Sequence, residues 1–467
     1  MNLQATTTIQ AEIESFIFKE GLTITQFAEL TGINSGTISS ILNGRRSVAV
    51  GQLDRITAAM GRSEGSYYDL YVDECLVHSS PNWRRLGPFL MRCAELDKLE
   101  YIKRTVHLLM DNLSYAPMVF EVAERLFKDN KWTSAAILYE SVAESERYQH
   151  SERLALCQYR LFKIALSEDQ DANLRAAVKF EPYVERLDEI DQLDALKDLV
   201  NTYSALRIWD KMDKTAEEMG RKAEIQYSRK HSSERKNKPF REPSIPIFCY
   251  VLYSNLMRGV VCEEYGQYEQ ALHYVSLYSN MDWVKENDDE ALFFKQKFRV
   301  WATANEFVSR LMAGEIRVLQ DYVDYITPME NEIFKALFRI IEAANRYQID
   351  IDEILKYFEQ QIAAACITGP KSSYKKQVMD NRFAHFLSDL AIYHLNKQRY
   401  MIGIKWVLES LAYALKTNND ICIIRCVGLF EQFRRVASEE QQKQYHKLIG
   451  EVQLQNEKKI SFVNRSN

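Results

Sequence analysis

Between Asn34 and Arg46 the chain reads NSGTISSILNGRR. Asn34, Ser35, Thr37, Ser39, Ser40 and Asn43 carry short amide or hydroxyl groups, Gly36 stands among them, and Arg45 and Arg46 follow at once. Side chains of this length match the donors and acceptors on base edges in a major groove. Two adjacent guanidinium groups suit phosphate oxygens. The chemistry on offer is recognition, with no turnover. Coiled as a helix, the run puts Ile33, Ile38, Ile41 and Leu42 on a core side and Ser35, Gly36, Thr37, Ser40 and Asn43 on the outer side.

Helical punctuation surrounds this run. Ile9, Ile13, Phe16 and Ile17 share one helical face, and Gly21 is a stop signal. Thr23 caps a helix running to about Thr31, Gly32 ends it, and Ile33 plugs the turn. Asn34 or Ser35 caps the next helix, which reaches Asn43 before Gly44. Val50–Met60 forms another, closed by Gly61. Short helices with a glycine turn between the second and third describe a helix-turn-helix unit. The pieces Phe27-Ala28-Glu29-Leu30, Gly32-Ile33, Thr37-Ile38-Ser39 and Gly44-Arg45, with Leu53, Ile56, Ala59 and Gly61, resemble the lambda-repressor-like (XRE) helix-turn-helix without gaps over about Ile9–Gly61. That resemblance implies binding to a double-stranded DNA operator, with base reading near Asn34–Ser40. Ile24 stands where the family often has Gln. Met1–Leu70 holds five Lys/Arg against seven Asp/Glu, so DNA binding here rests on local charge placement and on dimerisation.

From about residue 86 the sequence reads as helix after helix. Gly259, Gly266, Tyr268, Ala271 and Leu272 resemble a tetratricopeptide repeat (TPR), in which small residues recur where two helices of a hairpin approach and an aromatic follows the turn. Weaker copies are Ala123, Leu126, Asn130, Trp132, Ala135, Tyr139; then Tyr203, Trp209, Ala216; then Ala391, Tyr400, Gly403; and a turn at Gly314. Trp132, Trp209, Tyr268 and Tyr400 are separated by 77, 59 and 132 residues, so the repeats are degenerate against a period of about 34. The expected fold class is all-α: a helix-turn-helix domain over 1–65, a connecting helix and linker over 66–85, a right-handed α-solenoid of TPR-like hairpins over 86–455, and a tail over 456–467. Residues 221–242 carry eight Lys/Arg and three Glu and read as a solvated loop between two solenoid halves.

Composition agrees. Among 467 residues, Gly and Pro number 16 and 9, about 3 % and 2 %, well under average usage, which disfavours a chain of tight hairpins. A formal net charge of −5 excludes a general polyanion binder. The eight cysteines are scattered with no C-x-x-C, which fits reduced thiols in a cytoplasmic protein. No apolar stretch is long enough to span a bilayer. Phosphate-loop, dinucleotide, nucleophile-elbow and zinc-protease motifs are absent, and His385 and His394 have no Cys at ligand spacing. No enzyme, no cofactor and no metal is expected.

An XRE-like head before a TPR-like body resembles the Rap–NprR–PlcR–PrgX (RNPP) quorum-sensing receptors and the phage arbitrium receptors. The resemblance implies a peptide-pheromone-responsive transcription regulator and a homodimer. In that family a short signalling peptide binds the concave solenoid surface and switches DNA binding. Family receptors hold the peptide backbone through Asn side chains, since an amide both donates and accepts. The candidates are Asn201, Asn255 and Asn305, with Tyr159, Arg160, Tyr203, Tyr250 and Tyr253 supplying aromatic or charged contacts. The alternative is a scaffold that sequesters a regulatory partner protein, with the helix-turn-helix used for docking.

Overall fold

The computed structural model describes residues 8–77, 80–149, 151–167, 169–232, 241–369, 376–417 and 419–463. These are helical throughout, with no strand among them. The chain divides within one helix into two compact units, Met1–Ala195 and Leu196–Asn467.

The first unit opens with α1 (Ile9–Lys19), α2 (Ile24–Thr31), α3 (Ser35–Leu42) and α4 (Val50–Ala59). Thr23 and Gln26 form a capping box on α2, and Asn34 caps α3. Gly32 sits at φ +64°, the left-handed conformation that ends α2 without a Cβ clash. Phe27, Ile38, Ile41, Leu53 and Ile56 are fully buried. Each such side chain contributes about 1.5–3 kcal/mol relative to exposure.

α5 (Tyr68–Val72) runs into a single π-helical turn over Asp73–Val77. Its Tyr68, Tyr71 and Val72 share one continuous core with the four helices before it and with the hairpins behind. Tyr67, Tyr68, Tyr71, Val72 and Cys75 are therefore part of the core, and Asn82 caps the next helix. That helix is α6 (Trp83–Glu95), followed by α7 (Leu99–Leu109), α8 (Ala116–Lys128), α9 (Trp132–Ser145), α10 (Glu152–Ala165) and α11 (Gln170–Phe180). The division falls inside α12 (Glu189–Ala205).

In the second unit follow α13 (Trp209–Lys230), α14 (Ile247–Glu264), α15 (Tyr268–Ser279), α16 (Asp289–Met312), α17 (Leu319–Ile326) and α18 (Ile333–Tyr347). The last are α19 (Asp352–Tyr357), α20 (Glu359–Thr368), α21 (Lys376–Asn396), α22 (Tyr400–Lys416), α23 (Asp420–Phe433) and α24 (Glu439–Val463). α24 runs through most of the expected tail, where no Gly or Pro interrupts it. Of the basic segment 221–242, α13 covers the first part to Lys230, and residues 233–240 lie outside the described residues, as do 464–467.

The hairpins share one turn. Lys98, Lys131, Ile208, Gln267 and Arg399 each donate the backbone N–H to the carbonyl five residues back, at 2.8–3.0 Å. The residue before each, Asp97, Asn130, Arg207, Gly266 or Gln398, has φ between +56° and +72°. This is the Schellman closure of a helix C-terminus, repeated. At the best-matching copy a Cβ on Gly259 would come within 3.3 Å of Tyr274 Cβ and 3.8 Å of the Ala271 carbonyl, so the small residues lie where the backbones approach. Of the aromatic residues that follow these turns, Trp132 is half exposed, whereas Tyr268 and Tyr400 pack against the core.

Candidate nucleic-acid interface

α3 presents its expected outer face. Ile33, Ile38 and Ile41 are buried and Leu42 packs partly against them, while Asn34, Ser35, Gly36, Asn43, Arg45 and Arg46 are exposed and Thr37, Ser39 and Ser40 are half-buried. The polar groups divide by what they already do. Asn34 Oδ1 accepts from the Gly36 N–H at 2.9 Å, which spends it on the cap. Ser40 Oγ donates to the Gly36 carbonyl at 2.8 Å, and Asn43 Nδ2 donates to the Ser39 carbonyl at 2.8 Å. The Ser35 and Thr37 hydroxyls make no hydrogen bond with a described residue, so they and the first-turn N–H groups of α3 are the groups ready for a base edge or a phosphate. Arg45 and Arg46 make no ion pair with a described residue and stand just past the end of α3. The Arg46 and Arg45 amides close that end on the Ser40 carbonyl at 3.1 and 2.9 Å.

Two arginines that the sequence does not single out brace this surface. Arg55 Nη1 donates to the Gly32 carbonyl at 3.1 Å and pins α4 to the turn before α3. Arg92, from α6, reaches three carboxylates: Nε to Asp54 at 2.7 Å, Nη2 to Glu64 at 2.5 Å and Nη1 to Glu95 at 2.9 Å. Asp54 also accepts from the Tyr68 hydroxyl at 2.8 Å. Burial, then the Asp54 carboxylate, hold the Tyr68 phenol above its ordinary pKa, so it stays a donor. Arg85 adds a bond to the Val48 carbonyl at 3.2 Å and an ion pair to Glu74 at 3.0 Å. The pairs that weld the helix-turn-helix to the hairpins are 37 and 38 residues apart in the chain, a separation no local motif encodes.

The residues proposed for the body fall into different places. Asn201 is exposed on α12, and its Oδ1 accepts from the Tyr253 hydroxyl of α14 at 2.5 Å, so these two come together. Asn255 Nδ2 points back to its own helix, to the Val251 carbonyl at 3.3 Å. Asn305 Nδ2 donates to the Tyr278 hydroxyl at 2.9 Å. Tyr203 and Tyr250 are fully buried, and Tyr159 is buried against Phe180 at 5.3 Å between ring centroids, so all three pack and none presents a face to a ligand. Arg160 is spent on Glu124 at 2.8 and 3.1 Å. Burial works to raise the Glu124 pKa, but Arg160 and Tyr139 outweigh it and hold the carboxyl below its usual range. No described helix is long and apolar enough to cross a membrane.

Among known proteins, residues 18–66 match the helix-turn-helix family HTH_3. No curated protein matches. A solved circular tandem repeat protein with novel repeat topology and enhanced subunit contact surfaces is similar at 12 % identity, covering 96 % of this chain and 100 % of its own. Its TM-score of 0.17 is too low to transfer a fold, and the hairpin body stands on its own packing. The chain thus carries an XRE-type, DNA-binding helix-turn-helix head in front of an all-helical, repeat-like body.

Proposed function

We propose that the protein is a homodimeric, cytoplasmic transcription regulator of RNPP type, in which a short signalling peptide bound by the helical body switches operator binding by the head. The observation that carries the DNA half is the outer face of α3, where the Ser35 and Thr37 hydroxyls and the Arg45 and Arg46 guanidinium groups have no side-chain partner among the described residues. Half-site spacing on DNA is stringent, so a few ångströms of change between two heads is enough to prevent simultaneous docking. The peptide must bind one of the two states more tightly, or no switching follows. The Asn201–Tyr253 pair, accessible and polar, supports the peptide half.

The test is a gel shift of the full chain on genomic fragments from around its own gene. The Thr37→Ala/Arg45→Ala double variant should abolish the shifted band, and unchanged affinity would remove α3 as the reading helix. Calorimetry with the processed product of a neighbouring small reading frame should show binding that is lost in Asn201→Ala. A chain that shifts no fragment yet captures a regulator protein through its body would instead be a sequestering scaffold.

A further inference from the structure

Several cations of the second unit are neutralised by carboxylates. Arg258 pairs with Asp213 and Glu217, Arg339 with Glu263, Glu264 and Glu342, and Arg399 with Asp352. Lys297, in the first half of α16, makes no ion pair with a described residue. Its ammonium lies 5.0 Å from the ring centre of Trp301, 5.9 Å from that of Phe293 and 6.0 Å from that of Phe294. Positions 293, 294, 297 and 301 are one turn apart on either side of the lysine, so they form a single helical face. That face is wet and greasy at once: Phe293 is 62 % exposed.

Arg160 in the first unit is the instructive contrast. It too stands over rings, Phe127 at 5.2 Å and Tyr159 at 5.6 Å, but Glu124 occupies its donors. Lys297 has the rings without the carboxylate. A cation held over aromatic faces is attracted by the ring quadrupoles, which hold it in place without neutralising its charge. Low-dielectric ring surface beside it strengthens any ion pair formed there.

Neighbouring charge limits the ligand. Burial pushes the thiol of Cys249 on α14 up, Glu290 and Glu286 add to the push, and Lys197 and Lys297 oppose it. Charges of both signs thus act on this thiol, and Lys197 already donates to Ser244 at 3.1 Å. A nucleic-acid strand needs a continuous row of cations along its backbone. A balanced surface with one unspent ammonium fits one carboxylate.

Resting on the reading of the body as a peptide sensor, we infer that this face of α16 binds an acidic, apolar peptide, with Lys297 taking a carboxylate and Phe293 taking a neighbouring apolar side chain. The carboxylate is a side chain or the peptide C-terminus.

The experiment uses the immobilised full chain and randomised heptapeptide pools with one residue fixed as Asp, Asn or Lys, each made as free acid and as C-terminal amide, with retained peptide measured by mass spectrometry. Carboxylate-bearing pools should be retained at least about fivefold over the Asn-fixed amide pool, the size of one cation–π-supported ion pair. Preference that follows the fixed Asp assigns a side chain, and preference that follows the free acid assigns the C-terminus. Lys297→Met, which keeps the stem over the rings, should erase the preference, and Lys297→Arg should keep it. The inference is overturned if Lys297→Met leaves the preference intact, if Lys-fixed pools win, or if a dT oligonucleotide is retained in place of the peptides and lost with the same variant. Retention of peptide pools with no acidic preference defeats this inference alone; retention of none defeats the peptide-sensing reading itself.

Discussion

The outer face of α3 and the exposed face of α16 both leave positive charge with no carboxylate partner among the described residues, in a protein whose net charge is −5. They differ in what surrounds the charge. Arg45 and Arg46 adjoin hydroxyls and amides, and Lys297 stands on Phe293, Phe294 and Trp301. Hydrated donors beside two guanidinium groups suit a polyanion, whose affinity comes largely from counterion release. One ammonium on aromatic rings suits a single charge carried by an otherwise apolar ligand. If that distinction is right, the two surfaces respond to separate substitutions. Arg45→Ala/Arg46→Ala should weaken DNA binding roughly 10- to 100-fold and flatten the log–log salt dependence by about 2, one phosphate per arginine. Peptide retention should not change. Lys297→Met should do the reverse and leave the salt slope alone. A salt slope unchanged by the double arginine variant would place the phosphate contacts elsewhere.

The contrast also requires that the head face be held still. Arg92 joins Asp54 and Glu64 to α6, and Asp54 is mostly shielded from solvent. Arg92→Met removes those bonds and leaves Asp54 with the Tyr68 hydroxyl alone. The cost should be about 1–3 kcal/mol, the penalty for a partly buried carboxylate stripped of its charged partner. Thermal melting followed by circular dichroism would read this as an early loss of the first unit. Melting that is indistinguishable from wild type would show that the weld is superficial, as many exposed ion pairs are.

A second charged node, in the body, tests whether polar clusters there have the same structural role. Glu286 accepts from Tyr227 at 2.9 Å, Lys230 at 2.9 Å and His231 at 3.0 Å, which ties α13 to the loop before α16. Burial alone would raise the Glu286 pKa, but Lys230, Tyr227 and the other donors outweigh it and bring the carboxyl down to about 2. Because its pKa is depressed on folding, its contribution is full above the unfolded value of 4.5 and fades as pH falls toward 2. Glu286→Gln should lower the melting temperature at pH 7 by about 2–4 °C, on the scale of roughly 1 kcal/mol in a domain of this size. The gap between variant and wild type should close between pH 4.5 and pH 2. A gap that persists at low pH would trace the effect to packing and away from charge.

These surfaces were legible in the sequence to different degrees. Thr23, Gly32, Asn34 and Gly44 mark helix ends by local chemistry, and a motif of about fifty contiguous residues fixes its own geometry, so the outer face of α3 could be read directly. The hairpin turns were legible where a glycine marks them, at Gly266 and Gly314. Asp97, Asn130, Arg207 and Gln398 adopt the same left-handed conformation with no glycine to announce it, because packing on both sides of the turn overrides the local preference. In the body, the resemblance singled out Asn201, which lies at the surface, and also Tyr203, which points into the core. A two-residue shift on a helix turns a side chain by about 200°, enough to exchange outside for inside. The Lys297 face was readable in principle from FFKQKFRVW, where aromatic residues flank a lysine at helical spacing. The Arg92 brace was not, since Asp54 and Glu64 lie 38 and 28 residues before it in the chain.

The smallest expected effect separates two uses of the first turn of α3. A Cβ added at Gly36 would come 3.1 Å from Asn34 Oδ1, the atom that caps the helix through the Gly36 N–H. Gly36→Ala therefore sets two effects against each other. Alanine favours the helix by up to about 1 kcal/mol over glycine, while the crowded amide weakens a cap of similar worth. Stability should move by less than about 0.5 kcal/mol, with the terms nearly cancelling. DNA binding has no such cancellation, because a methyl group at this exposed position stands among the N–H groups that would approach a phosphate or base edge. A roughly two- to fivefold loss of operator affinity at unchanged melting temperature would place the first turn of α3 in the groove. Equal affinity for both chains would leave Arg45 and Arg46 as backbone anchors and move base reading toward Thr37 and Ser40.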